Sequence, residues 1–381
     1  MSAARLERSI TRLDRAAWDA LDHGGSPFLH HGFLRALEES RSIGKRSGWD
    51  PRYLVLEAGG ELRAALPTFV KRHSYGEFIF DWEWARASER AGIRYYPKLV
   101  AAAPMSPATG PRLLFHPSLD DAARRAAAAQ LIDAARDLAQ GEACSGLHFL
   151  FVTERERDLL AELGLAPRAS FQFHWHARGD TDFAGFLARM SSRRRKQARK
   201  ERARVRAAVD AIDWVRGGDL SADDLAAMDR FYRDNVDAHY GTAYLEPGFF
   251  ELASRYLPDE VVMARARRAG RTIAGAFFLE SDRALYGRYW GAVEPIPLLH
   301  FELCVWLPIE RAIERRLAVY EAGAQGSHKL LRGLEPSATH SCHLLFHPGL
   351  DRAIREFLVA EEHAVTARMA ELAEAGPFKE E

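Results

Sequence analysis

The chain has 381 residues, 47% hydrophobic and 28% charged, and its 53 basic side chains are balanced by 53 acidic ones. That is the profile of an ordinary globular protein with room for two domains. No run of eighteen apolar residues is present, which excludes a membrane-spanning helix, and Cys144, Cys304 and Cys342 form no CxxC pair, which fits a reducing compartment.

The first twenty residues are charged throughout and lack the apolar middle of a secretory signal, so the cytoplasm is the expected location. Residues 53–69 (YLVLEAGGELRAALPTF) read as a β-hairpin around Gly59-Gly60, followed by Tyr75-Gly76. Residues 118–139 read as an Ala-rich amphipathic helix, and 147–152 and 171–176 as strands. The polar stretch 177–182 (ARGDTD) marks a boundary. The order then returns: a hairpin at 262–279 turning at Gly270, Tyr286-Gly287, a helix at 299–315, and strands at 318–322 and 340–346. This predicts a tandem duplication of one α/β unit over residues 1–176 and 177–349, with the last helix, within 350–381, packing back on the first copy. A second repeat, Leu113-Leu114-Phe115-His116-Pro117 against Leu344-Leu345-Phe346-His347-Pro348, falls at non-equivalent places and reads as a way of ending a strand before a helix.

The second copy opens on the most charged stretch. Residues 189–206 (RMSSRRRKQARKERARVR) hold ten basic residues and one acid, with no Pro or Gly. They predict a helix over 186–208 in which Arg195, Arg199, Arg202 and Arg206 share a face. Such a stripe suits an anionic partner; a solvated helix face is the alternative.

A doubled α/β unit with a basic helix opening the second copy resembles the tandem GNAT fold of the Fem-type aminoacyltransferases. Ser192, Arg195, Gln197 and Arg199 match the motif of their second-domain helix, with Ala198 in place of a β-branched residue. More closely, the chain is similar to the FemAB-like family of peptidoglycan biosynthesis/recognition proteins. The likeness is carried by Pro27-Phe28-Leu29 with Phe33-Leu34, His73-Ser74-Tyr75-Gly76-Glu77-Phe78 with Asp81, Tyr95-Tyr96-Pro97-Lys98-Leu99 and His174-Trp175-His176. It continues through Tyr286-Gly287-Arg288-Tyr289-Trp290-Gly291, His300-Phe301-Glu302-Leu303-Cys304 and the segment from Glu321 to Gly333, so it covers residues 26 to 375. It departs at Pro104-Met105-Ser106-Pro107, where Pro-Phe-Thr-Pro is expected, and at Ser88, where Tyr is usual. The resemblance implies an α/β (α+β) fold of two GNAT-like domains, each a mixed, largely antiparallel sheet flanked by helices. It also implies an acyl- or aminoacyl-transferase acting on an amine, with aminoacyl-tRNA or acyl-CoA as donor substrate and no further cofactor. The expected partners are an anionic small molecule, such as a cell-wall precursor, or tRNA, and not DNA; peripheral membrane contact stays open, as does the oligomeric state.

Acetyl-CoA-dependent GNAT enzymes cradle pyrophosphate on a glycine-rich turn at a helix start. The corresponding places, 116–119 (HPSL) and 294–298 (EPIPL), carry no glycine, and Pro295 and Pro297 each remove an amide donor, which favours aminoacyl-tRNA. The strongest site candidate is 321–333 (EAGAQGSHKLLRG), a strand running into a glycine-rich turn that holds Gln325 and then His328, Lys329 and Arg332. Lys329, with His328 or Arg332, is expected to stabilise the oxyanion. Glu302 or Tyr289 is expected to contact the amine, Glu302 as base or orienting group, with helix capping as its alternative. Arg288 and Tyr289 face opposite ways on one strand, so only one need reach substrate. Arg195, Arg199 and Lys200 are expected to hold a phosphate.

In the first copy Lys71, His73, Tyr75, Glu77 and Asp81 crowd one segment, with Lys98 and Arg112 later, and by family analogy Tyr75 and Lys98 help to form the acceptor pocket. His174 and His176 share a strand face, and His340, Cys342 and His343 lie on another strand. They read as strand residues and not as a metal site, which needs four well-spaced ligands when closed. No Ser-His-Asp arrangement or Gly-x-Ser-x-Gly turn is present, so catalysis would rest on positioning and carbonyl polarisation. The competing reading is a non-catalytic module that recognises an anionic cell-wall precursor or RNA.

Overall fold

The computed structural model describes residues 3–238, 241–323 and 326–378. Among the described residues the strands are β1 (Arg5–Glu7), β2 (Trp49–Ala58), β3 (Glu61–Lys71), β4 (Lys98–Ala101), β5 (Leu114–Phe115), β6 (Gly146–Val152), β7 (Ala166–His176), β8 (Ala211–Arg216), β9 (Val261–Arg268), β10 (Arg271–Glu280), β11 (Ala284–Ala292), β12 (Val319–Glu321) and β13 (Glu335–Leu345). They divide between two compact units, Met1–Ser170 with Ala338–Thr366, and Phe171–Ser337 with Ala367–Glu381.

Both hairpins form where the glycines allow them. Gly59 and Gly60 take positive φ angles of 62° and 83°, and Ala269 and Gly270 take 48° and 73°, as a two-residue turn between twisted strands requires. In the first unit the order is β1-β2-β3-β4-β6-β13, with β5 on β3; in the second it is β7-β12-β11-β10-β9-β8. All neighbours are antiparallel except one pair per unit, β4 with β6 and β11 with β12. A parallel pair needs a crossover, and each crossover carries a helix. In the first unit it is Asp121–Gly141, capped by Asp120, which accepts from Ala123 N at 2.8 Å. In the second it is Leu299–Phe301 running through a π-helical turn, Glu302–Trp306, into Leu307–Glu314. Each unit is thus the mixed, largely antiparallel GNAT-like fold implied by the sequence.

The units change over inside strands, whereas the sequence placed the limits at 176/177 and 349. From Phe171 onward β7 pairs with β12, Trp175 opposite Tyr320, and from Ala338 onward β13 pairs with β6, His343 opposite His148. Each sequence repeat therefore gives its last strand to the other unit. In the first unit the start of the helix Pro348–Glu374 buries Leu350, Ile354 and Leu358 against Trp84 and Tyr95.

The basic helix is shorter than the 186–208 expected. Phe183–Arg189 is a separate helix capped by Asp182, the backbone is extended at Met190 and Ser191, and the helix restarts as Ser192–Arg206. The break has a cause in packing: Met190 is fully buried and bridges to Phe378, and Ser191 N donates to Pro377 O.

The helix Ala222–Ala238 crosses β10 and β11 closely. A Cβ on Gly291 would lie 2.1 Å from the backbone oxygen of Phe231, which cannot move without bending the helix. We predict that Gly291→Ala costs about 1–3 kcal/mol through overpacking and lowers the thermal unfolding midpoint. An unchanged midpoint would contradict this packing.

Candidate functional site

In the second unit β11 and β12 run side by side for only three residues, from Ala284 opposite Val319 to Tyr286 opposite Glu321, and then part. β12 ends there while β11 continues to Ala292. The fork between them opens into a cavity of about 100 Å³ lined by Gly287, Tyr289, Trp290, His300, Cys304 and Ala322, with Phe278 and Tyr320 behind. Gly287 permits this approach, since a Cβ there would lie 2.9 Å from the Tyr320 hydroxyl.

The register against β10 slips at the fork. Phe277 faces Tyr289 and Phe278 faces Gly287, so Arg288 is an extra residue, a β-bulge. Its side chain is 3% exposed, donates to Gly287 O at 2.8 Å and lies 3.3 Å from Glu321 Oε2, which joins the two strands where their pairing stops. Burial pulls the Arg288 pKa down, and Glu321 opposes the shift. Tyr289 packs edge-on against Tyr232 and Phe250, and burial pushes its phenol far above the ordinary value.

The cations of the Ser327–Arg332 turn are occupied. Lys329 Nζ donates to Ala322 O at 2.6 Å and Gly323 O at 2.9 Å, the carbonyls just beyond β12. Burial, with Arg288 adding to it, pulls Lys329 down to about 8. Arg332 pairs with Glu201 at 3.0 Å and lies 3.4 Å over the Phe301 ring. His328 is half-buried, with its Nε2 enclosed and without a hydrogen-bond partner among the described residues. Gln325 lies outside the described residues.

Glu302 is fully buried, and its carboxylate receives Arg202 Nε and Nη2 at 3.0–3.1 Å, with Arg206 at 3.4 Å. Arg202 also reaches Glu310. Glu302 therefore holds the basic helix and does not face the cavity as the expected base. The one acid of the basic run, Glu201, does similar work, accepting from Arg332, Trp306 Nε1 and Gln197. The predicted stripe is thus divided: Arg202 is spent inside, and Arg206 is partly spent. Arg195 bonds Ala188 O at 3.2 Å and Ser192 Oγ at 3.4 Å within its own segment. Arg193, Lys196, Arg199, Lys200 and Arg204 point to solvent and make no ion pair among the described residues.

In the first unit Lys98 and Tyr75 do not meet at an open pocket. Lys98 is sealed between Glu77, 2.7 Å away, and Asp81, which also receives the Ser74 and Tyr95 hydroxyls. Burial pushes Glu77 up to about 7, while against burial Lys98 holds Asp81 low. Lys71 donates to Tyr75 O, burial pulls it down to about 7, and the Tyr75 ring lies in solvent. The place equivalent to the fork, beyond the β4–β6 pairing, is filled by Arg112, whose guanidinium donates to Leu150 O, Phe151 O and Ala108 O at 2.6–3.0 Å. A larger cavity, of about 460 Å³, is lined by charges paired among themselves, Arg124 with Asp22, Arg125 with Glu162 and Arg155 with Asp121. His174 is buried and pulled down to about 3 by burial, chiefly, and by His176. Among the described residues no three His, Cys, Asp or Glu side chains converge to hold a metal, and no helix is long and apolar enough to cross a membrane.

A forked parallel pair with a helix crossing behind it, on a sheet built twice in one chain, defines a tandem GNAT-like protein. The chain belongs to the FemAB-like family, described as peptidoglycan biosynthesis/recognition, whose model matches residues 9–380. Among solved structures it is similar to FemX, with a TM-score of 0.54 at 10% identity over 92% of this chain and 100% of that one. It is also similar to the C-terminal domain of an Agrobacterium fabrum protein assigned as a lysylphosphatidylglycerol synthetase, with a TM-score of 0.55 at 10% identity over 92% and 98%. At such identity the likeness shows the fold. No curated protein sequence is significantly similar to the chain.

Breaking the Arg202–Glu302 pair leaves a buried carboxylate poorly compensated. We predict that Arg202→Met costs about 3–5 kcal/mol in urea unfolding, and that Arg202→Met/Glu302→Leu costs less than the single change. Additive losses would contradict the pairing.

Proposed function

We propose that the second unit transfers an acyl or aminoacyl group from an activated donor to an amine, with the reacting carbonyl in the fork between β11 and β12. The observation that carries this reading is the fork itself, where β11 and β12 part after three paired residues and leave a cavity of about 100 Å³ lined by Tyr289, His300 and Cys304. The Tyr289 phenol, kept protonated by burial, lies on the cavity wall, and a hydrogen-bond donor there is the kind of group that stabilises a developing oxyanion. The amine attacks the carbonyl carbon, a tetrahedral oxyanion forms, and the leaving oxygen or sulfur departs with a proton. Lys329 acts one step back, fixing the Ala322–Gly323 backbone that forms the opposite wall.

Two observations support an RNA-linked aminoacyl donor over acyl-CoA. In the loop before the crossover helix Ile296 N is spent on Glu294 O and Leu299 N on Ile296 O, while Pro295 and Pro297 have no amide hydrogen. The exposed Arg193, Lys196, Arg199, Lys200 and Arg204 lie on a helix docked through Arg202 onto the helix that carries His300 and Cys304. Membership of a family described by peptidoglycan biosynthesis supports a cell-wall precursor as the amine.

The test offers the wild-type protein alanyl-tRNA or acetyl-CoA as donor, with a UDP-linked muropeptide as acceptor, and reads the product by mass spectrometry. Transfer from alanyl-tRNA is expected. Binding of tRNA or muropeptide without transfer from either donor would overturn the reading in favour of a non-catalytic recognition module. In the same assay Arg199→Ala/Lys200→Ala is expected to weaken tRNA binding and to reduce the slope of log affinity against log salt by roughly one for each phosphate no longer neutralised. An unchanged slope would make these residues a solvated face.

A further inference from the structure

We infer that His300 is the proton-transfer residue of this reaction: its imidazole takes the proton lost by the acceptor nitrogen as the C–N bond forms. It then passes that proton to the leaving oxygen or sulfur as the donor's C–O or C–S bond breaks. The inference rests on reading the fork as the transfer site.

The cavity's own inventory points to this residue. Its titratable lining side chains, among the described residues, are Arg288, Tyr289, His300, Cys304 and Tyr320. Arg288 is a cation paired with Glu321. Tyr320 donates its hydroxyl to Cys304 O at 2.6 Å, a carbonyl that lacks its usual helical donor because residue 308 is proline. Burial holds the Tyr289 and Cys304 protons in place. Only the imidazole of His300 is left to accept a proton at neutral pH.

The ring is also held in place. It sits edge-on to Trp290 with centroids 4.8 Å apart, 5.4 Å from Phe301 and 6.0 Å from His328. Neither of its nitrogens has a hydrogen-bond partner among the described residues, so neither is committed elsewhere. The charged and titratable groups that act on it are His328, Lys329 and Arg332 of the Ser327–Arg332 turn; Glu302, two residues along, is engaged by Arg202. Burial, then these three groups, pull His300 down to about 4, so the ring is neutral across the physiological range and its lone pair is not already protonated.

The test is His300→Gln, assayed with whichever of alanyl-tRNA and acetyl-CoA the wild type uses. A loss in kcat of about 100-fold or more is expected, with KM within about twofold of wild type. Wild-type turnover with kcat retained in His300→Gln overturns the role of His300 and leaves the transfer reading standing. No wild-type turnover with either donor overturns both. An NMR titration of the histidine ring carbons in the ligand-free protein supplies a readout that needs no substrate, the His300 signal being assigned by its absence in the variant. It should stay neutral to below pH 5; a ring already protonated at pH 7 could not take the amine's proton and would overturn the proposal. Should His300→Gln fail to fold, His300→Asn serves both measurements.

Discussion

The second unit is organised around one buried ion pair, Arg288 with Glu321, at the point where two parallel strands stop pairing. Such a pair adds little net stability, because the desolvation of both charges offsets their attraction. What it fixes is geometry. Arg288 reaches Glu321 because a bulge turns it inward, and the strands come close enough because residue 287 is glycine. Lys329 then ties down the two carbonyls that follow β12. The fork stays open, and a small cavity persists beside the bulge.

Around this fork the charges are divided between holding and presenting. Glu201 and Arg202, adjacent on the basic helix, lock it to its neighbours: Glu201 to the Ser327–Arg332 turn and to Trp306, Arg202 to Glu302 in the π-helical turn. That leaves the outer cations of the same helix free for an anionic partner. The first unit has the same strand order but a different use of it. Arg112 caps the carbonyls of Leu150 and Phe151 where a fork would open, and Lys98 is shut in with two carboxylates. Both cations there serve the fold.

Much of the architecture was legible in the sequence. The Gly59-Gly60 and Gly270 turns announced the hairpins, the Ala-rich run announced the crossover helix, and the repeat order announced the duplication. Local chemistry dictates these features, so local sequence reveals them. The strand exchange was not legible, since it depends on which sheet a strand joins. Of the residues at the fork, Arg288, Tyr289 and Lys329 were singled out in the sequence and His300 entered only within a family motif, and the contacts of all four depend on partners distant in sequence. Glu302 read as a base because its helix start is visible and Arg202, a hundred residues earlier, is not. The bulge at Arg288 exists only relative to Phe277 and Phe278. One missed signal was present: the lone acid among ten bases, Glu201, marks a structural contact and not a gap in a binding stripe.

The central claim, that the transferred group lies in the fork of the second unit, is tested most directly by a structure with a stable donor analogue. An RNA minihelix carrying alanine at its 3′ end through an amide in place of the ester would bind without reacting. The account predicts density for the alanyl group between β11 and β12, with its carbonyl in the cavity lined by Tyr289 and His300. An alanyl group seated anywhere else, with the fork empty, would contradict it.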